Sequence, residues 1–330
     1  MKISEMIKAY GGMIFGKQDY WHPNMIACEN IVKDTIGCYY VDTRPKHIYP
    51  GKFDEKNIPL LNYNGKDEYF PVTIAQYALG NFDKYIDTND YKYFQVCSNC
   101  ARWFVDNLQE IKPGVYGYIN DYDNEVYGIS KPWLSALGQG QAMSVLARCY
   151  SVEKKEEYLE CCKKLLKSFI VKSKDKGVLA YLNGEMFYEE YPSAQPSFVL
   201  NGFIFSLWGL LDFYIVGNNE EAKKLYEIGL NTLKNNLHNY NIGKINWSKY
   251  DLYTYKVTNI TSIFYHKLHI EQLKAMYTLT DDDIYKHYYT KWEKAKNNKL
   301  IYVIATIYKI NHKLSVRKES SYVPSLDKEE

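Results

Sequence analysis

The chain has 330 residues, enough for one large domain or two ordinary ones, and its 46% apolar fraction supports a sizeable core. Its 41 basic and 39 acidic residues are interleaved and leave a formal net charge of +2, which argues against a nucleic-acid binder. The 34 tyrosines exceed ordinary usage, but Lys, Asn and Ile are abundant too, so the count carries little functional weight.

The N-terminal stretch up to Gly11-Gly12 has no hydrophobic signal core, so we expect a cytoplasmic protein, with membrane association left open. Residues 1–60 also hold Trp21-His22-Pro23 and a run from Arg44-Pro45 to Pro50-Gly51. They read as an irregular arm with a short hairpin, packed against the helical remainder of the chain. From residue 70 the pattern is helical almost throughout. Apolar helices begin near Phe70, Leu134, Ser197 and Ser262, about 64 residues apart. Each ends at a polar break: Asp87–Asp90, Ser151–Glu153, Gly217–Glu220 and Thr280–Asp283. A more polar amphipathic helix comes after each break. Four such pairs predict a mainly all-α chain, an α/α toroid with apolar helices inside and amphipathic ones outside. The ring should span 61–314.

The stretch Ser197–Val216 is long enough to cross a membrane, but Asn201, Ser206 and Asp212 interrupt it, and we read it as buried. Lys299–Lys318 reads as an additional helix against the ring, and 315–330 as a disordered tail. The seven cysteines show no framework. Cys97 and Cys100 sit in a helical pattern as packing thiols, Cys161 and Cys162 are adjacent, and a reduced chain is expected.

Links 113–132, 177–196 and 240–261 are long and rich in aromatics, Gly and Pro, with short hairpin pieces. All enter inner helices at their N-terminal ends and so should gather at one mouth. Helix N-termini favour an anion there. The densest chemistry lies at 188–203, where Tyr188, Glu189, Glu190 and Tyr191 precede Pro192 and Pro196 and an apolar helix. Acid and base groups on a stiffened turn suit proton transfer.

Three blocks carry a family resemblance: Tyr69–Leu79, Trp133–Tyr150 and Tyr188–Leu207. Shorter matches come at Tyr250–Leu252 and Tyr265–Leu273. The chain resembles the C-terminal catalytic domain of the glucuronyl C5-epimerases of heparan sulfate and heparosan, over roughly residues 60–295. The resemblance implies an α/α toroid that inverts C5 of a hexuronic acid within an acidic polysaccharide; we expect no cofactor and no metal site. It places catalytic groups at Glu190, Tyr191, Tyr250 and Tyr265. Inversion needs two acid/base groups on opposite ring faces, and we expect Glu190 and Tyr265 in those roles. Tyr191 and Tyr250 would bond the substrate carboxylate or tune a partner. Glu189, Asn201, Tyr253, His266, His269 and Gln139 are the expected substrate-binding residues. His266 and His269, one helical turn apart, could instead be satisfied packing groups, and the glycines of Gly138–Gln141 read as close helix packing.

Two features depart from the family. Tyr253 stands where the pattern has an arginine thought to hold the uronate carboxylate, and a bidentate fork is not replaced by a phenol. The β-rich domain that animal members insert after the first block is missing. A lyase shares the first chemical step. A hydrolase would need a second carboxylate beside Glu189 or Glu190, such as Asp121, Asp123 or Asp251. An inactive uronate-glycan binder is the non-enzyme reading. A homodimer and peripheral contact with membrane-bound polysaccharide synthesis machinery stay open.

Overall fold

The computed structural model describes residues 19–63 and 65–319, so Gly11-Gly12 and 320–330 lie outside the described residues. Four helix pairs dominate: α1 (Pro71–Thr88) with α2 (Tyr91–Asp106), α3 (Ala136–Glu153) with α4 (Glu156–Ile170), α5 (Leu200–Gly217) with α6 (Glu220–Asn236), and α7 (Ile263–Thr280) with α8 (Asp283–Asn297). The first helix of every pair is 18 residues long. Each of these ends on a residue in the left-handed region, Asn89, Lys154, Asn218 or Asp281, which turns the chain sharply into its partner. Asp90, Asn219 and Asp282 then cap α2, α6 and α8 through their side chains.

The inner helices pack in the order α1–α3–α5–α7, with α2, α4, α6 and α8 each laid on its own partner. The middle two are buried on nearly every side, from Ala136 to Cys149 and from Leu200 to Phe213. Gly140 and Gly209 make their crossing possible. A Cβ on Gly140 would lie 2.5 Å from the Cα of Ser206, and one on Gly209 would lie 2.2 Å from the carbonyl oxygen of Gly140. Gly138 has no such neighbour, so close packing accounts for only one of the two glycines in that run. The helix α5 is apolar enough to cross a membrane by composition, but 78% of it is buried inside the protein, where its apolar faces are covered by other helices.

The links carry antiparallel hairpins. A meander β1 (Lys52–Phe53), β2 (Pro59–Tyr63), β3 (Lys66–Glu68) leads into α1. The pairs β4–β5 (Gln109–Lys112, Val115–Gly117) and β6–β7 (Ile119–Asn120, Trp133–Leu134) precede α3. The pair β8–β9 (Leu179–Leu182, Glu185–Tyr188) precedes α5, and β10–β11 (Asn241–Ile242, Trp247–Ser248) precedes α7.

The N-terminal arm is tied to all four inner helices. Asp83 of α1 accepts from the backbone N–H groups of Tyr39 at 2.7 Å and Thr43 at 3.0 Å. Asp212 of α5 accepts from the hydroxyl of Tyr40 at 2.7 Å and pairs with Arg148 of α3 at 2.6 Å. Glu271 of α7 accepts from the N–H of Ala27 at 3.0 Å. Two expectations are corrected. Cys28 and Cys38 form a disulfide within this arm, a pairing that their ten-residue spacing did not signal. The last helix, α9 (Lys299–Glu319), runs five residues into the segment expected to be a disordered tail. The apolar residues Ala305 and Ile301 pack with Trp247 and Ile260, which holds this helix to the fold.

Candidate active site

Backbone hydrogen bonds stitch the links together at the N-terminal ends of α3, α5 and α7. The N–H of Ala136 bonds the carbonyl of Glu189 at 2.9 Å, that of Leu200 bonds Tyr250 at 3.2 Å, and that of Leu252 bonds Ser197 at 3.0 Å. Segments from three sequence regions are thereby fixed against one another, and the residues between them form the site.

Glu189 and Glu190 point to different tasks. Glu189 is fully buried and accepts from the N–H and hydroxyl of Ser197, at 2.9 and 2.6 Å, and from the N–H of Phe198 at 3.0 Å. These bonds offset part of its burial, which leaves its pKa at about 7. Both of its oxygens are taken by its own loop, so the expected substrate contact is replaced by a positioning role. Phe198 sits at φ +52, in the left-handed region that a bulky residue adopts at a cost. The carboxylate of Glu189 on one side and the hydroxyl of Tyr240 on its carbonyl, at 2.8 Å, hold it there.

Glu190 is 5% exposed and its Oε2 has no hydrogen-bond partner among the described residues. It lies against the first turn of α5, where a Cβ on Gly202 would fall 2.2 Å from that oxygen. Burial raises its pKa to about 8, the charges of Glu189 and Asp251 add to the shift, and the hydroxyl of Tyr191 partly opposes it. Its charge in turn acts on Tyr191, Tyr250 and Tyr265, so all three phenols lie around it. Tyr250 and Tyr265 meet edge to face at 4.9 Å. Burial pushes both up, Tyr265 to about 12, where interaction with the hydroxyl of Tyr250 restrains the rise. Ser262 caps α7 and so fixes Tyr265 in its first turn. Tyr191 stacks on Tyr127 at 4.5 Å and tilts against Trp133.

Asn201 is buried beside Gly202 with its Oδ1 unpartnered, and its carbonyl accepts from Gln272 of α7 at 3.1 Å. Tyr253 packs edge to face on Tyr127 at 5.7 Å, at the border of the tyrosine cluster. Three of the expected substrate-binding residues lie within the packing. His266 is fully buried, stacked on Trp247 at 3.8 Å, with Nδ1 accepting from the N–H of Ser248 and Nε2 facing the carbonyl of Trp292. His269 is buried beside the hydroxyl of Ser248, its Nε2 has no hydrogen-bond partner among the described residues, and burial lowers its pKa to about 3. Both therefore join α7 to α8 and β11 as neutral packing groups. Gln139 is fully buried and bonds the N–H and the carbonyl of Tyr118, at 2.8 and 3.0 Å, as a neighbouring strand would.

The structure adds a network that single positions did not reveal. Asp251, 2% exposed, accepts on Oδ2 from Tyr127 at 2.8 Å, Asn259 at 2.9 Å and Tyr255 at 3.2 Å. Burial raises its pKa to about 6. The Nζ of Lys309, from α9, bonds the Oδ1 of Asn259 at 2.7 Å and lies 6.0 Å from the ring of Tyr250. Of this network the sequence singled out Asp251 alone, as one of three carboxylates that could partner Glu189 or Glu190.

The chain is 35% identical over 187 residues to a D-glucuronyl C5-epimerase of Caenorhabditis elegans, covering 50% of this chain and 30% of that protein. It is 32% identical over 178 residues to an uncharacterised protein of Methanocaldococcus jannaschii, covering 53% of this chain and 56% of that one. With residues 109–294 matching the model for the D-glucuronyl C5-epimerase C-terminus, the stretch that holds Glu190 and its three tyrosines, the chain belongs to the D-glucuronyl C5-epimerase family.

Proposed function

We propose that the protein epimerises C5 of hexuronic acid residues in an acidic polysaccharide, of the D-glucuronate to L-iduronate type. We also propose that its four helix pairs close as an α/α toroid. The observation that carries the reading is Glu190, a buried carboxyl with a free oxygen, ringed by three phenols of raised pKa. In one direction the ionised Glu190 takes the C5 proton, and the electron pair passes into the adjacent carboxylate as an enolate. Tyr265 then returns a proton to C5 on the opposite face; the protonated Glu190 releases its proton and the Tyr265 phenolate takes one up before the next turn. The reverse direction exchanges the two roles. No net redox change occurs. A phenol pushed up to about 12 stays protonated near neutral pH and can donate to a strongly basic carbanion, while its phenolate is a strong base for the reverse direction. Tyr191 and Tyr250 would hydrogen-bond the enolate oxygens.

An anionic substrate beside Glu190 and Asp251 needs a cation, and position 253 supplies none. We assign that part to Lys309, which is held beside Tyr250 by Asn259; burial lowers its pKa to about 7, and the nearby Asp251 carboxylate favours its charged form.

The test is incubation with heparosan and other hexuronate polymers in deuterated buffer, read by NMR at C5. Deuterium at C5 with new iduronate-type signals is the expected result. An unsaturated chain end would mean elimination instead, and no exchange on any hexuronate polymer would overturn the reading.

A further inference from the structure

Helix α9 begins after residue 294, where the match to the family model ends. Its inner face is anchored to the fold. Tyr302 and Ala305 pack with Trp247 and Ile260, the Nζ of Lys309 donates to Asn259 at 2.7 Å, and the Nδ1 of His312 faces the carbonyl of Val257 at 2.8 Å. Leu300, Val303, Ile307 and Leu314 each stand two positions from one of these four, which is about 200° round a helix. They therefore share the opposite face, where they are 69%, 53%, 52% and 37% exposed. Tyr308 is exposed beside Ile307.

The outer face is thus an apolar stripe about 21 Å long. Single exposed apolar residues are ordinary, but a continuous row along one helix marks an interaction surface. Charge indicates what covers it. Basic and acidic residues are interleaved along most of the chain, yet 299–318 hold Lys299, Lys309, Lys313, Arg317 and Lys318 and no Asp or Glu. A second copy of α9 laid on this face would set cations against cations with no carboxylate between them to offset the repulsion. An anionic bilayer supplies both complements, headgroup charge for the lysines and acyl chains for the stripe. Tyr308 adds an apolar ring with a polar tip, the kind of side chain that suits a membrane–water boundary.

We propose that the outer face of α9 docks on the surface of an anionic membrane, with the helix axis in the plane of the bilayer and Leu300, Val303, Ile307 and Leu314 among the acyl chains. The inner face stays on the fold and carries Lys309, so the helix rests on the bilayer and does not cross it. That inner face also reaches the link beside Tyr250, since Lys309 lies 6.0 Å from the Tyr250 ring. Docking through the outer face therefore holds this edge of the candidate site within one helix diameter, roughly 10 Å, of the lipid. The surface is a binding function beyond the epimerase reading and does not depend on it.

The test is co-sedimentation of the full chain with vesicles of phosphatidylcholine alone or with about 30% phosphatidylglycerol added. Partition onto the anionic vesicles should exceed that onto the neutral ones at least tenfold in about 0.05 M salt, and should fall as salt rises to about 0.5 M. Val303→Ser with Ile307→Ser should lower that partition at least tenfold, because both side chains leave the acyl region. Both are exposed in the free protein, so thermal unfolding and C5 exchange on a soluble polymer should keep their wild-type values. Lys299→Gln with Lys313→Gln should narrow the gap between the two lipids. Equal binding to both vesicles, or binding that the folded Val303/Ile307 variant retains, would overturn the proposal. A wild-type dimer in gel filtration that becomes a monomer in that variant, with no vesicle binding by either, would overturn it too, because a second copy would then be what covers the face.

Discussion

At the scale of residues, the chemistry turns on how burial sets the charge of Glu190. Its pKa is about 8 when folded and near the ordinary carboxyl value when unfolded. As pH rises between those values the unfolded chain loses this proton first, so the folded state binds more protons and stability falls across the window. Glu190→Gln should therefore flatten the decline and stabilise the protein near pH 8 by on the order of 2 kcal/mol, measured by urea unfolding at several pH values. The same variant should abolish C5 exchange. A Gln variant that unfolds with the wild-type pH slope would show that Glu190 is not the buried acid described here. In wild type, the rate at low substrate should climb with pH towards an inflection near 8 as the base ionises. Gly202→Ala probes geometry without changing charge. Its Cβ would press on Glu190 at 2.2 Å, so exchange should drop by at least tenfold while unfolding shifts by only about 1–3 kcal/mol.

At the scale of elements, the helix pairs were legible in the sequence and the roles of several site residues were not. Starts expected near Phe70, Leu134, Ser197 and Ser262 fall at Pro71, Ala136, Leu200 and Ile263, because polar breaks and caps are local signals. Glu190 and its tyrosines were reached through the family blocks. The hydrogen bonds that hold Glu189, Gln139 and His266 in the packing were not legible, because sequence spacing does not say which neighbour a side chain will meet. Asp251 and Lys309 come together only through contacts about 58 residues apart in sequence, which no local pattern encodes. The arm disulfide is local, at a separation of ten residues, but seven cysteines without a framework gave no signal for that pair. Packing of α3 on α5 makes a sharper prediction. Gly140→Ala places a methyl group 2.5 Å from the Cα of Ser206, with backbone on both sides and no flexible side chain to yield. It should cost about 1–3 kcal/mol or more in chemical denaturation. Gly138→Ala, whose nearest neighbour would be 3.6 Å away, should be close to neutral and serves as the control.

At the scale of the whole molecule, the inner helices divide their labour by end. Asp83, Arg148 and Asp212 each occupy the thirteenth position of an 18-residue helix, and together they hold the arm at Cys38–Thr43. The candidate site gathers at the first turns of the same helices. Gly202 and Asp212 are ten residues apart on α5, which places the two functions about 15 Å apart along the axis. Arg148 and Asp212 are 1% and 0% exposed, so the pair is shielded from solvent and its partners are not interchangeable with water. Replacing Asp212 by Ala strands the Arg148 guanidinium and the Tyr40 hydroxyl in the core. That should cost about 3–5 kcal/mol in urea unfolding, since an uncompensated buried charge is dearer than the lost bond alone. Replacing both residues, Arg148→Met with Asp212→Leu, removes the stranded charge and should recover a substantial part of the loss. At a temperature where Asp212→Ala remains folded, its C5 exchange should keep the wild-type pH dependence, because Glu190 and Tyr265 sit at the other end of the helices. A shifted pH profile in that variant would mean that the arm and the site are mechanically coupled through α5, and the division by end would be wrong.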